Sequence, residues 1–139
     1  MSLKKRCAVL GAVSTLALVS QPSVAGSYHS TVGLPTIHSK GHVYRTHVPV
    51  TGIAQPGSRV STVSWTWNYV GFPRGLAVQL CQGTVNKCHD VSRQRSGSTS
   101  WFGGNNPSQA FFFRTMVVNN RNSSPVPIGA QGAAVTVSW

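Results

Sequence analysis

The residues of this chain whose types suit chemistry are few: His38, His42 and His47, the adjacent pair His89-Asp90, Cys81 and Cys88, and the tryptophans Trp65, Trp67 and Trp101. Three neighbouring histidines suggest an imidazole metal centre, which needs ligands converging on one point. In an extended chain, however, His42 and His47 point to opposite faces, and no carboxylate stands near to complete a set. They are therefore expected to be solvated or core-edge side chains, with no metal bound. His89-Asp90 has the types of an acid/base pair, yet neighbours on a strand also face opposite sides. Structural roles are expected for both.

The scarcity of acid is more decisive than any motif. Asp90 is the chain's one acidic side chain, against twelve Lys and Arg, and the formal charge is +11. Glycosidase dyads, magnesium and calcium sites and Ser-His-Asp triads all draw on carboxylates. No nucleophile here has an evident base and orienter, so no catalytic residue and no cofactor is expected. Such a chain is expected to act by binding, through a cationic surface that favours anionic partners and weakens with salt.

The two cysteines depend on the compartment. Lys4, Lys5 and Arg6 precede an apolar run from Cys7 to Val19, and Ser23-Val24-Ala25 supplies small residues for cleavage. This has the layout of a secretory signal peptide over residues 1–25, cut after Ala25, leaving one domain over residues 26–139. The apolar run is shorter than the roughly 20 residues that cross a bilayer. Export places Cys81 and Cys88 in an oxidising environment, where a disulfide is expected. Leu76 to Gln82 alternates as a strand and Lys87 to Arg93 can return antiparallel to it. A hairpin loop over Gly83 to Asn86 then sets Cys81 opposite Cys88, Val78 opposite Val91 and Leu80 opposite His89. Gln79 and Asp90 fall on the other face with the cystine. Closing so short a loop contributes about 2.5 kcal/mol, enough to pin a hairpin without deciding the fold.

The elements positioning these residues follow a period of two. Val63, Trp65, Trp67 and Tyr69 alternate with Thr62, Ser64, Thr66 and Asn68, predicting a central strand with an apolar face and a hydroxyl-rich one. Trp65 and Trp67 therefore read as core and not as a platform for sugar rings, although with Trp101 they make a carbohydrate- or envelope-binding module the rival function. Ala110 to Val118, apolar on both faces apart from Arg114, and Ala133 to Trp139 predict further core strands. Tyr28 to Leu34 and Gly41 to Val50 are weaker candidates. Turns fall at Gln55-Pro56-Gly57, Phe72-Pro73-Arg74-Gly75, Gly103 to Pro107 and Asn119 to Pro127. About seven or eight short, mostly antiparallel strands argue an all-β domain, a small β-sandwich with one hairpin disulfide. So few runs leave no room for a membrane-spanning barrel, and stable membrane insertion is not expected.

The polar stretch Ser92 to Ser100 reads as a mobile loop. Its Arg93 and Arg95, with Arg74 at a strand start and Arg59 before the long strand, are the candidate contact surface for an acidic protein or an anionic envelope surface. Trp101 and Phe102, beside Gly103-Gly104-Asn105-Asn106, are expected to be partly exposed and to extend that surface. An exported protein has no nucleic acid to bind.

In this setting several segments carry a family resemblance. From about Gly33 to Trp139 the chain resembles the flagellar FlhE family of periplasmic proteins. The likeness rests on Pro49-Val50-Thr51-Gly52, Val63-Ser64-Trp65, Gly75-Leu76 with Val78, Leu80 and Cys81, and Cys88. It continues through Gly97, Thr99 and Phe102, then Phe111 and Phe113 after Pro107, to Val135-Thr136-Val137-Ser138-Trp139. The chain departs from the family pattern in a longer cystine loop, a more basic composition and the final Trp. The resemblance implies a non-enzymatic accessory of flagellar assembly in the periplasm, linked to the flagellar type III export apparatus. It further implies a chaperone or regulator that limits proton leak and premature periplasmic growth of flagella, with export or rod and basal-body proteins as partners.

Overall fold

The computed structural model describes residues 25–139; residues 1–24, which carry the expected signal peptide, lie outside the described residues. Eight strands follow one another: β1 (Ser27–Gly33), β2 (Tyr44–Val48), β3 (Thr62–Tyr69), β4 (Leu76–Gln82), β5 (Cys88–Asp90), β6 (Ser96–Thr99), β7 (Phe111–Val117) and β8 (Ala130–Ser138). They form two four-stranded sheets, ordered β1-β8-β3-β6 and β2-β7-β4-β5. All pairings are antiparallel. The chain is thus an all-β sandwich, as the alternation predicts, and the strands read as core (β3, β7 and β8) are interior to their sheets.

The core is what the inward-facing alternate residues leave between the sheets. Val63, Trp65, Trp67 and Tyr69 of β3 meet Val135 and Val137 of β8 on one side; Val78 and Leu80 of β4 with Phe111, Phe113 and Val117 of β7 close the other. Strand β7 is apolar on its outer face as well because Phe112 has its own cover. The Arg45 guanidinium lies 4.2 Å above the ring, His47 stands beside it, and Cys81 is its cross-strand partner. Phe112 is therefore buried on a nominally solvent face.

The cysteine hairpin has the predicted register: Cys81 opposite Cys88, Leu80 opposite His89 and Gln79 opposite Asp90, with the Cys81–Cys88 disulfide formed. Strand β5 is shorter than the run Lys87 to Arg93. It is extended by a single bond from Val91 N to Val78 O, after which Ser92 turns the chain.

One expectation fails in the same region. Residues 92–100 are not a mobile loop, because Ser96–Thr99 forms the edge strand β6 beside β3. The holding groups are the buried tryptophans. Trp65 Nε1 donates to Gln94 O at 2.9 Å, and Trp67 Nε1 donates to Val91 O and Gln94 O, each at 3.0 Å. Gly97 admits this approach, since a Cβ there would stand 2.8 Å from the Trp65 ring.

The inward face of β1 carries an imperfection. The Tyr28 and Ser30 hydroxyls are buried without a protein hydrogen-bond partner among the described residues. Burial pushes the Tyr28 phenol from 10.0 up to about 12. The unfolded chain therefore ionises first as pH rises, and this group's contribution to stability, whole below pH 10, is lost through pH 12. Tyr28→Phe is expected to leave stability at neutral pH unchanged or raised by up to about 1 kcal/mol, since no bond is broken. It should also flatten the alkaline limb, in part only, because burial raises Tyr69 too. Urea unfolding as a function of pH measures both effects.

Candidate interaction surface

The groups named from sequence are scattered by the fold, and their positions decide what each can do. His38, His42 and His47 are exposed: His42 and Tyr44 pack edge to face, with centroids 4.6 Å apart, while His47 stands tilted beside Phe112. Among the described residues no cluster of three His, Cys, Asp or Glu is placed to hold a metal ion. His89 faces inward at the sandwich edge, among Trp65, Trp101 and Phe102. Asp90 faces outward, where Ser92 N and Oγ donate to Oδ1 at 2.9 and 2.6 Å. Those two bonds, helped by the charges of Arg93 and His89, hold the carboxyl below its ordinary range. The acid/base pair is therefore not assembled. Trp65 and Trp67 are buried in the core, so neither can present a stacking face.

Phe102 corrects another expectation. It is fully buried, with its ring centroid 5.0 Å from that of Phe111. The glycine-rich turn after it folds back on the start of β3, with Val60 N donating to Asn105 O at 2.8 Å and Gly104 N to Val60 O at 2.9 Å. Phe102 is thereby drawn between the sheets as a plug. Its neighbour Trp101 remains about half exposed, as expected.

The four candidate arginines divide between the two ends of β3. Arg59 precedes the strand and donates to Gly104 O at 3.3 Å, at the Trp101 end. Arg74, Arg93 and Arg95 gather at the other end, around the Val70–Gly75 turn. Arg95 is largely committed to that turn: Nη1 donates to Asn68 Oδ1 and Tyr69 O, and Nη2 to Gly71 O at 2.6 Å. Its guanidinium lies 4.6 Å from the Phe72 ring centroid and 5.3 Å from that of Trp67. Arg74 leans the other way, with Nε donating to Asn122 O at 2.9 Å and its backbone N donating to Ser124 Oγ at 2.6 Å. The Arg93 side chain is exposed and makes no hydrogen bond among the described residues.

The turn built in this way carries a feature that sequence reasoning missed. Phe72, read only as part of a turn, is 88% exposed and rests one face on Arg95. With Pro73 it forms a ridge between two open concavities. One, of about 350 Å³, is lined by Trp67, Phe72, Pro73, Leu76, Arg93 and Arg95. The other, of about 290 Å³, is lined chiefly by Val70, Phe72, Pro73, Pro125, Pro127 and Ile128. The signal in the sequence is Gly71-Phe72-Pro73 itself, because an aromatic between Gly and Pro in a tight turn has no strand face on which to be buried. The corner combines an exposed aromatic, grooves with apolar walls and cations that form no ion pair with a carboxylate among the described residues. These are features of contact surfaces, where aromatic residues and Arg carry much of the binding energy.

Comparisons with known proteins agree on one family. The model of the family described as Flagellar protein FlhE matches residues 34–139. A solved structure described as "Crystal Structure of FLHE" is similar to this chain with a TM-score of 0.67 and 19% sequence identity, over 83% of this chain and 96% of that one. A comparison with curated proteins found no match.

Proposed function

This chain belongs to the FlhE family of flagellar proteins, and we propose that it is a non-enzymatic periplasmic accessory of flagellar assembly, serving the type III export apparatus as a chaperone or regulator. The observation that carries this reading is the family match, which spans nearly the whole described domain from residue 34 to residue 139. Two features of the molecule support the finer parts. A formed Cys81–Cys88 disulfide suits an oxidising compartment such as the periplasm. The arginine–aromatic corner at Val70–Gly75 suits recognition of a protein surface, and nothing about it calls for turnover. In this reading the protein engages an export or basal-body component, limiting proton leak and premature filament growth before the structure reaches the cell surface.

The test is a clean in-frame deletion complemented by the intact gene. The expected result is altered motility or misplaced filament growth, restored by the wild-type chain, together with recovery of the mature protein from the periplasmic fraction. Normal flagella and swimming in the deletion would reject the assembly role. Retention of the chain in the cytoplasm would reject the proposed location.

A further inference from the structure

We infer that the Phe72-Pro73 ridge is a docking site for an acidic polypeptide segment in which an aromatic or aliphatic side chain neighbours Asp or Glu. This deepens the proposed role by naming the chemistry of the partner and rests on that role only for its biological setting. Three observations carry it. Phe72 is 88% exposed although it is a large aromatic, and the Arg95 guanidinium stacked on one face holds it in place. The groove on one side of the ridge sets the apolar side chains of Val70, Pro125, Pro127 and Ile128 beside Ser124 and exposed backbone. The groove on the other side is lined by Arg93, whose guanidinium makes no hydrogen bond among the described residues, together with the apolar side chain of Leu76. Because Phe72 and Pro73 wall both grooves, one short segment crossing the ridge fills both. Its apolar side chain enters the proline-lined groove while a carboxylate meets Arg93. Arg74, bound through Nε to Asn122 O, makes no Nη hydrogen bond among the described residues and is a further cation of this corner for a second carboxylate.

Charge selects among possible occupants. With one acidic side chain in the whole sequence, bonded by Ser92 though close enough to feel Arg93, the chain can offset only part of this corner's charge. A second copy of so basic a protein would add repulsion. An anionic bilayer would satisfy the arginines but would leave the two concavities unfilled. Arginine with an exposed aromatic, paired with acid next to an apolar anchor, is a recognition mode that gives specificity through a small number of residues.

The probe is a fluorescein-labelled synthetic peptide of about ten residues alternating Glu or Asp with Phe and Leu, and the readout is fluorescence anisotropy on the oxidised mature domain. The acidic-apolar peptide should bind, and binding should weaken at least several-fold between about 50 and about 300 mM salt. Arg93→Glu should weaken it by about tenfold or more and Phe72→Ser by about fivefold or more, each with an unchanged thermal midpoint. Lys87→Glu, an equal charge change in the hairpin loop at the opposite end of β4, should have little effect beyond that of net charge. Equal binding of a peptide with Lys in place of Glu and Asp would overturn the proposal. So would indifference to Arg93→Glu and Phe72→Ser, or a preference for phosphatidylglycerol vesicles over the peptide. Failure here alongside a flagellar phenotype in the deletion would sink this site but leave the assembly role standing. Binding alongside normal flagella would do the reverse.

Discussion

Trp67→Leu should lower the free energy of unfolding by about 3–4 kcal/mol and at the same time loosen the segment that carries Arg93 and Arg95. The side chain is 4% exposed, so shortening it leaves a cavity that the surrounding sheets fill only in part. The lost indole also removes one donor each from Val91 O and Gln94 O, which receive Nε1 at 3.0 Å and keep only Gln94 N and Trp65 Nε1 respectively. Losing one of two hydrogen bonds costs such a carbonyl about 1 kcal/mol or less. Arg95 loses one of the two rings its guanidinium faces, the one 5.3 Å away. Urea unfolding followed by far-ultraviolet circular dichroism should show a lower midpoint at unchanged slope, the mark of a stability change in an otherwise intact cooperative unit. Trp67→Phe keeps most of the apolar volume and removes only the donor, so it should cost about 1–2 kcal/mol. A leucine variant within about 1 kcal/mol of the native protein would mean that residues 91–95 are held by something other than the indoles.

Those indole bonds also explain which parts of the molecule can be read in its sequence. Val63, Trp65, Trp67 and Tyr69 announce β3 because a two-residue period leaves only one face able to enter a core, and the observed burial follows it residue by residue. The cysteine hairpin is legible because a disulfide admits few registers, and placing Cys81 opposite Cys88 fixes every neighbouring pair. Strand β6 was hidden for the converse reason. Ser96-Gly97-Ser98-Thr99 has no apolar face to betray it, and its place is set from a distance, by Trp65 under Gly97 and by carbonyls that accept from indoles some 25 to 30 residues earlier. Phe102 misled because glycines and asparagines follow it, a composition that reads as exposed, whereas the same turn drives the ring inward.

The candidate surface was legible in its charges and illegible in its geometry. Arg74, Arg93 and Arg95 belong together, but Arg59 stands at the far end of β3, and nothing in the residue types distinguishes the two groups before β3 is given its direction. Nor does the sequence reveal that Arg95 spends its donors on the carbonyls of Tyr69 and Gly71 while Arg93 keeps its own. That division of labour gives the corner its character. One arginine stiffens the turn that lifts Phe72 into solvent, and the other remains available beside it. A rigid aromatic next to a free guanidinium loses little conformational entropy on binding, which is how a small surface can be selective.

At the opposite end of the sandwich a single neutral side chain has a comparable structural burden, and Gln82→Leu is expected to destabilise the protein by about 2–4 kcal/mol despite conserving volume. Gln82 is fully buried at the end of β4. Its Nε2 donates to Asn106 O at 2.9 Å and to Gln109 O at 3.2 Å, while its Oε1 accepts from Asn105 Nδ2 at 2.9 Å. One amide thus satisfies three groups of the loop that joins Trp101 to β7, in a place where strand pairing cannot reach them. Leucine offers none of these partners, so the loop must either bury unpaired polar groups or move them into water. Movement would draw Phe102 out with it, since Asn105 O is also the acceptor that fastens this loop to Val60. Amide hydrogen exchange in Gln82→Leu should accordingly show lost protection at Val60, Gly83 and Gln109, whose N–H groups bond within or against this loop, while Trp67 and Val78 remain protected. Gln82→Glu is the discriminating companion. It keeps the shape and the acceptor but replaces the donor with an anion facing two carbonyls, so it should be at least as damaging as leucine at neutral pH and partly relieved when the carboxyl is protonated. If both variants unfolded at the native urea midpoint, the loop would be anchored by Phe102 packing alone, and the buried amide would have no part in closing this end of the sandwich.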